Sequence, residues 1–397
     1  MDMLMTRFHD VFGCYPISAG CWVLDAHTLR YLHERYGITA ACNCKDQWGT
    51  DGYTLWGGYW NQAYYPSLVN AYMPAQHTKA QLSVPIFRML GSDPIYQYDT
   101  GLYDGTNCSE VPAQGVVSLE PVYCGNGGGG DPRWVRWFFD LTAEGPSLSF
   151  GYAQAGQENS FGWPRMADGF TDQMRLLVER DDLRVETLAD SAAWFRQTYP
   201  LTPAAAVVAL DDWQEHNRRS VWYHSHHYRA NLFWEGEAFR LRDLHLFDER
   251  YAERYLTAVC TSPACTYDTL PLVDGFRWSD ARTRAGLYPV TASSEPLPCA
   301  APAVTALDDE TLQIVTEPLT FTCMPDEMHI AGTGDWRLEV RWGGDVPVPV
   351  TGVTADVVEC RYEGFSYRWH VTQGEVGILA HGLRFTPRDG AVHCRFR

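Results

Sequence analysis

Residues 221–247 read VWYHSHHYRANLFWEGEAFRLRDLHLF, and polar and apolar side chains alternate through most of this stretch. Alternation with a period of two is typical of β-strands, and the glycine-containing segment GEA at 236–238 predicts a hairpin turn. The segments 336–353, 365–373 and 377–397 continue the alternation to the end of the chain. Because long helical patterns are rare in this half, we predict an antiparallel β-sandwich over residues 203–397.

The HSHH motif at 224–227 raises the question of a metal site. On an alternating strand, His224 and His226 share one face and His227 lies on the other, so at most two ligands meet. We therefore expect a solvated strand of the sandwich rather than a metal centre.

The first 200 residues have a different rhythm, in which helical stretches alternate with short apolar runs. Buried apolar runs separated by helices predict parallel strands, so we predict a (β/α) barrel of the seven- or eight-stranded type over residues 1–202. Six such units are visible, which is fewer than a closed barrel needs, so the barrel is expected to be incomplete at its N-terminus. The apolar runs are ISAGCWVLD at 17–25, ITAACNC at 38–44, VPIFRML at 84–90, GVVSLEPVY at 115–123, SLSFGYAQA at 147–155 and LRVETL at 183–188.

Composition excludes several classes of partner. A net charge of −18 argues against nucleic acid, because a phosphate-binding face needs clustered Lys and Arg. No apolar run approaches the ~20 residues of a membrane span. The N-terminus, MDMLMTRFHDVFG, lacks the features of a signal peptide, so a cytoplasmic protein with reduced cysteines is expected. The oligomeric state is left open.

Aromatic and polar residues concentrate after the predicted strands. In a parallel barrel the loops at the carboxyl ends of the strands form the active site, and DQWGTDGYTLWGGYWNQAYY at 46–65 is the densest of them. Aromatic faces stack on sugar rings, while carboxylates and amides bind hydroxyls, so a carbohydrate ligand is predicted. The predicted substrate-binding residues are His27, Trp48, Asp51, Tyr53, Trp56, Trp60, Asn61, Asp93, Tyr96, Tyr98, Gln157, Asn159 and Trp163.

Two glutamates are the best candidates for catalysis. A glycosidase needs one protonated and one ionised carboxyl group, and Glu120 and Glu158 follow or end predicted strands. Asp25 and Asp46 are the reserve candidates. Asp25 is equally compatible with an N-cap of the helix AHTLRYL, and Asp93, before proline, with the start of a turn.

The segment FGCYPISAGCWVLDAHTLRYLHERYGITAAC at 12–42 resembles a late segment of the NodB-like barrels, a superfamily of polysaccharide deacetylases and related glycosidases. The resemblance covers roughly residues 7–42. It implies that Asp25 lies where the superfamily places substrate-contacting residues. The acidic pair and the HxxxH pair that hold the metal in the deacetylases are absent, so no metal ligand is carried over.

Together these observations predict a carbohydrate-active hydrolase, most simply a glycosidase that acts on a poly- or oligosaccharide without a cofactor. The alternatives are a deacetylase of the same superfamily, which needs a divalent metal, and a non-catalytic carbohydrate-binding protein.

Overall fold

The computed structural model describes residues 1–21, 24–43, 62–89, 91–98, 117–122, 124, 127–156, 162–259, 261 and 269–397. Within these ranges the chain forms three β-sheets and five helices. The helices are α1 (Asp2–Phe12), α2 (Ala26–Tyr36), α3 (Pro132–Glu144), α4 (Trp163–Val178) and α5 (Leu188–Thr198). In the described part of the chain, no helix combines the length and the apolar character that a membrane crossing requires.

Local sequence explains where α2 begins and ends. Asp25 caps the N-terminus, because its carboxylate accepts the backbone N–H of Thr28 at 2.7 Å. Gly37 ends the helix in the left-handed conformation, at a φ of 76° that glycine tolerates without strain. Ile38 then leads into the next strand.

The N-terminal sheet is small and mixed. Its strand order is β1-β2-β4-β3, in which the β1–β2 and β2–β4 pairs are parallel and the β3–β4 pair is antiparallel. Helix α5 covers one face, where the ring of Phe195 packs 5.9 Å from that of Phe87. The strands are β1 (Ser18–Cys21), β2 (Ala40–Asn43), β3 (Ala63–Tyr64) and β4 (Ile86–Arg88).

The second sheet, which we call the central sheet, is antiparallel and has nine strands. Its strand order is β19-β20-β15-β10-β8-β7-β6-β5, and β9 also pairs with β8. The strands are β5 (Ala205–Ala209), β6 (Arg218–His224), β7 (Tyr228–Glu235), β8 (Ala238–Leu246), β9 (Leu270–Asp274), β10 (Gly286–Thr291), β15 (Trp336–Arg341), β19 (Glu375–Leu379) and β20 (Gly382–Thr386).

The third sheet, which we call the outer sheet, is also antiparallel and has the strand order β11-β12-β13-β14-β21-β18-β17-β16. It packs on the central sheet, with the rings of Phe239 and Phe321 5.3 Å apart and the indole of Trp234 donating to Thr316 Oγ1 at 2.9 Å. The predicted β-sandwich fits these two sheets. The outer strands are β11 (Ala303–Ala306), β12 (Leu312–Thr316), β13 (Leu319–Cys323), β14 (Glu327–Gly332), β16 (Val350–Val353), β17 (Val357–Tyr362), β18 (Phe365–Gln373) and β21 (Ala391–Arg395).

The central sheet is covered on both faces. Opposite the outer sheet, segment 93–98 packs on it, and the indole of Trp222 donates to the carbonyl of Pro94 at 3.1 Å. Because protein covers this face of the central sheet as well, the prediction that the HSHH motif lies on a solvated strand is wrong: His224 has no exposed surface. The domain boundary between residues 202 and 203 stays a prediction.

The predicted (β/α) barrel is wrong. Among the described strands only β1, β2 and β4 pair in parallel, and most of the sheet structure is antiparallel. The last three predicted barrel strands are not strands where the chain is described: 117–122 and 147–155 form only isolated bridges, and 183–187 forms none.

The physical reasons for this error can be seen in two of these segments. The backbone carbonyl of Phe150 accepts a hydrogen bond from the side chain of Gln62, so a distant side chain occupies a group that a neighbouring strand would use. In the run LRVETL, Val185 is 69% exposed, so this run provides little of the burial that stabilises a sheet strand.

Candidate functional site

The carboxyl ends of three parallel strands lie side by side in the N-terminal sheet. Cys21 of β1 is in register with Asn43 of β2, and Asn43 is in register with Arg88 of β4. In open sheets with parallel strands, ligands bind outside the carboxyl ends of the strands. We call the end row formed by Cys21, Asn43 and Arg88 the carboxyl edge.

A buried cation lies in the carboxyl edge. Arg88 is 6% exposed, and its Nη1 donates to the backbone carbonyl of Asn43 at 3.4 Å. The same carbonyl accepts the N–H of Met89 at 2.9 Å, which holds the two strand ends together. Tyr152 is close by: burial raises the pKa of its hydroxyl, and the charge of Arg88 partly offsets that increase.

The side chain of Gln154 adds a hydrogen-bonding group beside β2. Its Nε2 lies 3.9 Å from the Sγ of Cys42, and its Oε1 is buried without a hydrogen-bond partner among the described residues. Burial raises the pKa of the Cys42 thiol to about 11, so this cysteine is protonated and a poor nucleophile at neutral pH. The edge therefore provides a cation and amides, which bind ligands, rather than an activated nucleophile.

Glu120 reaches this region through backbone pairing beyond β4. The N–H of Asp93 donates to the carbonyl of Val117 at 2.8 Å, and the N–H of Leu119 donates to that of Gly91 at 2.9 Å. Glu120 follows directly and has no exposed surface. Glu158, its predicted catalytic partner, lies outside the described residues.

The glycine run at 127–130 has a packing role beside Glu120. The N–H of Gly129 donates to the carbonyl of Ser118 at 2.7 Å, and a Cβ at this glycine would lie only 2.1 Å from the carbonyl oxygen of Leu119. The side chain of Gln173 donates to the carbonyls of Leu119 and Gly129 at 2.8 and 2.9 Å. Glycine therefore permits the close backbone approach that holds the segment before Glu120.

Asp93 is a fully buried structural acceptor in this structure. Its Oδ1 accepts the N–H groups of Ile95 and Tyr96, both at 2.8 Å. Its Oδ2 accepts the indole N–H groups of Trp134 at 2.8 Å and Trp213 at 3.0 Å. Burial raises the pKa of Asp93, while these four donors oppose that shift. Protein donors thus occupy both carboxylate oxygens.

The two predicted tyrosines after Asp93 contact the second half of the chain. The hydroxyl of Tyr96 donates to Asp212 Oδ1 at 2.7 Å, and that of Tyr98 donates to the carbonyl of Arg242 at 2.7 Å. Both side chains are buried, so they connect segment 93–98 to the central sheet and its loops.

Three further predicted residues have local structural contacts or lie exposed on a helix. Asp25 caps α2, and His27 is exposed in the first turn of the same helix. Trp163 begins α4, is 56% exposed and packs edge-on against Phe170 with 6.2 Å between ring centroids. The remaining predicted residues lie outside the described ranges: Asp46, Trp48, Asp51, Tyr53, Trp56, Trp60, Asn61, Gln157 and Asn159.

A small cavity adjoins the carboxyl edge. Arg88, Ser92 and Tyr152 contribute to the lining of this cavity, which has a volume of about 30 Å³. Ligand pockets are typically about 300 Å³ or larger, so this cavity by itself does not hold a sugar ring.

A buried network of charged side chains was missed by the sequence analysis. Arg229 forms a two-point ion pair with Asp243, at 2.8 Å and 2.9 Å. Nε2 of His245 lies 3.5 Å from Asp243 and 3.6 Å from Asp274, and Asp274 also pairs with Arg277 at 2.6 Å. The signal in the sequence was the closely spaced charges of RLRDLH at 240–245.

This network is enclosed by protein. Arg229, Asp243, His245 and Asp274 are all at most 1% exposed, and their charged groups pair with one another. Burial lowers the pKa of His245. Burial would raise the pKa of Asp274, but Arg277 and His245 lower it by more, so the pKa of Asp274 is below its usual value. Within the described ranges, no group of three or more His, Cys, Asp or Glu side chains is arranged to hold a metal ion.

Comparison with known proteins adds little to this description. No protein-family model and no curated protein matches the chain. Among solved structures, the chain is similar to the crystal structure of a candidate glycoside hydrolase/deacetylase from Parabacteroides distasonis, determined at 1.44 Å resolution. The two chains share 16% identity with a TM-score of 0.49, over 75% of this chain and 69% of that chain. A TM-score below 0.5 does not establish a shared fold, so function is argued below from the residues of this chain.

Proposed function

We propose that this protein is a carbohydrate-active hydrolase, a glycosidase whose substrate binds at the carboxyl edge of the N-terminal sheet. The observation that carries the proposal is the parallel register of β1, β2 and β4, which aligns Cys21, Asn43 and Arg88 in one row. Segments rich in carboxylates, amides and aromatic rings follow these strands in the sequence. In open sheets with parallel strands, ligands bind outside such strand ends.

The chemistry of the edge supports a polar, hydroxyl-rich ligand. The guanidinium of Arg88 and the amides of Asn43 and Gln154 are donors and acceptors without nucleophilic reactivity. Gln154 Oε1 has no protein partner in the described structure, which leaves one hydrogen-bond acceptor unused beside β2. Sugars present many such hydroxyls.

Glu120 is the proposed general acid, with Glu158 as the nucleophile or base. A general acid holds the proton that passes to the leaving oxygen in glycoside hydrolysis. Glu120 has no exposed surface and follows the segment paired with residues 91–93. Its burial also permits a purely structural role, which a substitution distinguishes.

The test is a screen of aryl glycosides with the full chain, followed by Glu120→Gln and Glu158→Gln on any substrate that is cleaved. We expect each variant to lose at least about 100-fold in kcat while still binding the sugar. Glu34→Gln, on the exposed face of α2, is the matched control and should keep full activity. Unchanged turnover in Glu120→Gln would contradict the catalytic assignment.

The same screen separates the alternatives. Acetyl release from acetylated sugars that is abolished by a chelator and restored by zinc indicates a deacetylase. Sugar binding without any turnover, retained in both glutamine variants, indicates a non-catalytic binding protein.

A further inference from the structure

An open groove lies between helices α3 and α4. Its volume is about 440 Å³, within the range of about 300–1,000 Å³ that is typical of small-molecule sites. Among the described residues, it shares none of its lining with the small cavity beside Arg88. The lining includes Arg133, Arg136 and Trp137 of α3 and Asp172, Arg175 and Leu176 of α4.

Contacts near both ends of α4 fix the shape of this groove. In the N-terminal half of the helix, a Cβ at Gly169 would lie 2.9 Å from the Cα of Gly130, two residues before α3 begins. After the C-terminal end, Arg180 pairs with Asp140 of α3 and, at 3.5 Å, with Glu144. The groove therefore exists before a ligand binds, which reduces the cost of ordering its walls.

Part of the lining is apolar and held in one orientation. The indole N–H of Trp137 donates to the backbone carbonyl of Asp211 at 3.0 Å, which fixes the plane of the ring. Leu176 packs in the same buried cluster as Trp134 and Val135. A fixed indole offers apolar contact area with little further loss of side-chain entropy, and sugar rings stack on such surfaces.

The charged groups of the lining balance one another. Three guanidinium groups, with side chains 62–84% exposed, stand against three carboxylates, so the lining has no net charge: Arg133, Arg136 and Arg175 against Asp140, Asp172 and Glu179. An anionic ligand would meet the carboxylates, and the net charge of −18 on the whole chain adds to that repulsion. A cationic ligand would meet the guanidinium groups. Hydroxyl groups donate and accept, so a neutral sugar suits both kinds of side chain.

The ion pairs of the groove are weak enough for a ligand to compete with them. Nη2 of Arg136 lies 3.6 Å from Oε2 of Glu179, and both side chains are more than half exposed. Exposed pairs of this kind contribute little to stability, so hydroxyl groups can replace them at low cost.

We propose that this groove is a second carbohydrate site, which binds a neutral oligosaccharide. Its ligand class rests on the proposed function, but its residues differ from those of the carboxyl edge. The two sites share a helix, because Gln173, next to Asp172, donates to the carbonyl of Leu119 directly before Glu120. A sugar chain held in the groove raises the local concentration of substrate near the proposed catalytic residue.

The test counts binding sites on the full chain by equilibrium dialysis with sulfur-linked cellotetraose and maltotetraose, which glycosidases do not cleave. We expect the wild type to have two sites for the sugar that binds. Arg136→Ala combined with Arg175→Ala should have one, because losing two charged donors weakens binding in the groove at least about tenfold.

Arg368→Ala is the matched control and should keep both sites. Arg368 is 61% exposed and pairs with Glu359 at 3.4 Å on the outer sheet, while Arg136 is 62% exposed and pairs with Glu179 at 3.6 Å. Far-UV circular dichroism checks that the double variant is folded.

The number of sites separates this proposal from the proposed function. A single wild-type site that disappears in the double arginine variant supports the groove and contradicts binding at the carboxyl edge. Three results would overturn the proposal: a site count that the double variant leaves unchanged, no binding of either sugar, or a groove that prefers a galacturonate or glucosamine tetramer to the neutral sugars.

Discussion

Glu253 accepts the backbone N–H of Ala26, the first residue of helix α2, from 227 positions away in the chain. Its two carboxylate oxygens lie 3.2 and 3.1 Å from that nitrogen, and Oε1 also accepts the N–H of Ala71 at 2.7 Å. A negative charge at a helix N-terminus is favourable, because unpaired N–H groups and the helix dipole point towards it. This single carboxylate connects α2 and residue 71 to the segment that follows β8.

We expect Glu253→Gln to lower the free energy of unfolding by about 1–3 kcal/mol, since the amide removes the charge and one of the two acceptor oxygens. Urea unfolding followed by circular dichroism measures the change. Glu34→Gln, an exposed substitution within α2, should lie within about 0.5 kcal/mol of the wild type. Equal stabilities for the two variants would show that Glu253 does not stabilise α2.

Asp93 provides a second test of a long-range contact. In Asp93→Asn one acceptor oxygen becomes an NH₂ group, so at least one donor among Trp134, Trp213 and two backbone amides loses its partner. An unsatisfied buried donor costs about 1–3 kcal/mol, and near-UV circular dichroism should change because two indoles are involved. Asp211→Asn, close to Trp213 in sequence, is the control. A stable variant with an unchanged aromatic spectrum would contradict this role.

Removing one partner of the ion pair between Arg229 and Asp243 should lower the free energy of unfolding strongly, whereas replacing both partners by apolar residues should lower it much less. Asp243→Asn leaves a buried guanidinium without its counter-charge, and a loss of about 3–5 kcal/mol is expected. Arg229→Met combined with Asp243→Leu removes both charges and should lose less than the sum of the single variants. A double-mutant cycle measured by urea unfolding gives the coupling energy. Strict additivity would show that the two side chains do not interact.

Buried histidines predict that stability falls in mild acid. Burial lowers the pKa of His224 and of His245, and burial also lowers that of His227 to about 3. A depressed pKa in the folded state keeps these rings neutral there, while the unfolded chain takes up protons near pH 6.5. The contribution of these histidines to the free energy of unfolding is therefore complete above about pH 6.5. As the pH falls below this value, the free energy of unfolding decreases by about 1.4 kcal/mol per pH unit for each fully buried ring.

The measurement is the free energy of unfolding from pH 8 to pH 5. His224→Phe keeps a ring beside Trp222, which stacks on His224 at 5.8 Å, and removes one titrating group. The slope below pH 6.5 should then decrease by about 1.4 kcal/mol per pH unit, whatever the stability of the variant at neutral pH. An unchanged slope would show that His224 titrates normally in the folded protein.

Local patterns predicted the parts of this fold that depend on local physics. The alternation around Phe239 and Leu241 predicted antiparallel strands, and both residues are buried. The alternative prediction that Asp25 caps α2 depended on a contact between residues only three positions apart in the sequence, and that contact is present.

Contacts between segments that are far apart in the sequence could not be predicted from local patterns. The run at 147–155 resembles a strand, but the side chain of Gln62 occupies the carbonyl of Phe150. Arg229 and Asp243 stand on strands that local reasoning expected to have one face in water. Segment 93–98 covers that face instead. The periodicity of the strand sequences does not predict this contact with a distant segment. For the candidate site, the apolar runs predicted strands at β1, β2 and β4 and placed Glu120 in a buried run, and Glu120 is buried.

The contact between Glu253 and Ala26 also bears on how the protein is made. A ribosome adding about 5–20 residues per second needs roughly 10–45 s to travel the 227 positions between them. During that interval the nascent α2 has no acceptor from Glu253 at its first turn. We therefore expect the N-terminal third to emerge incompletely folded and to bind chaperones until translation passes residue 253.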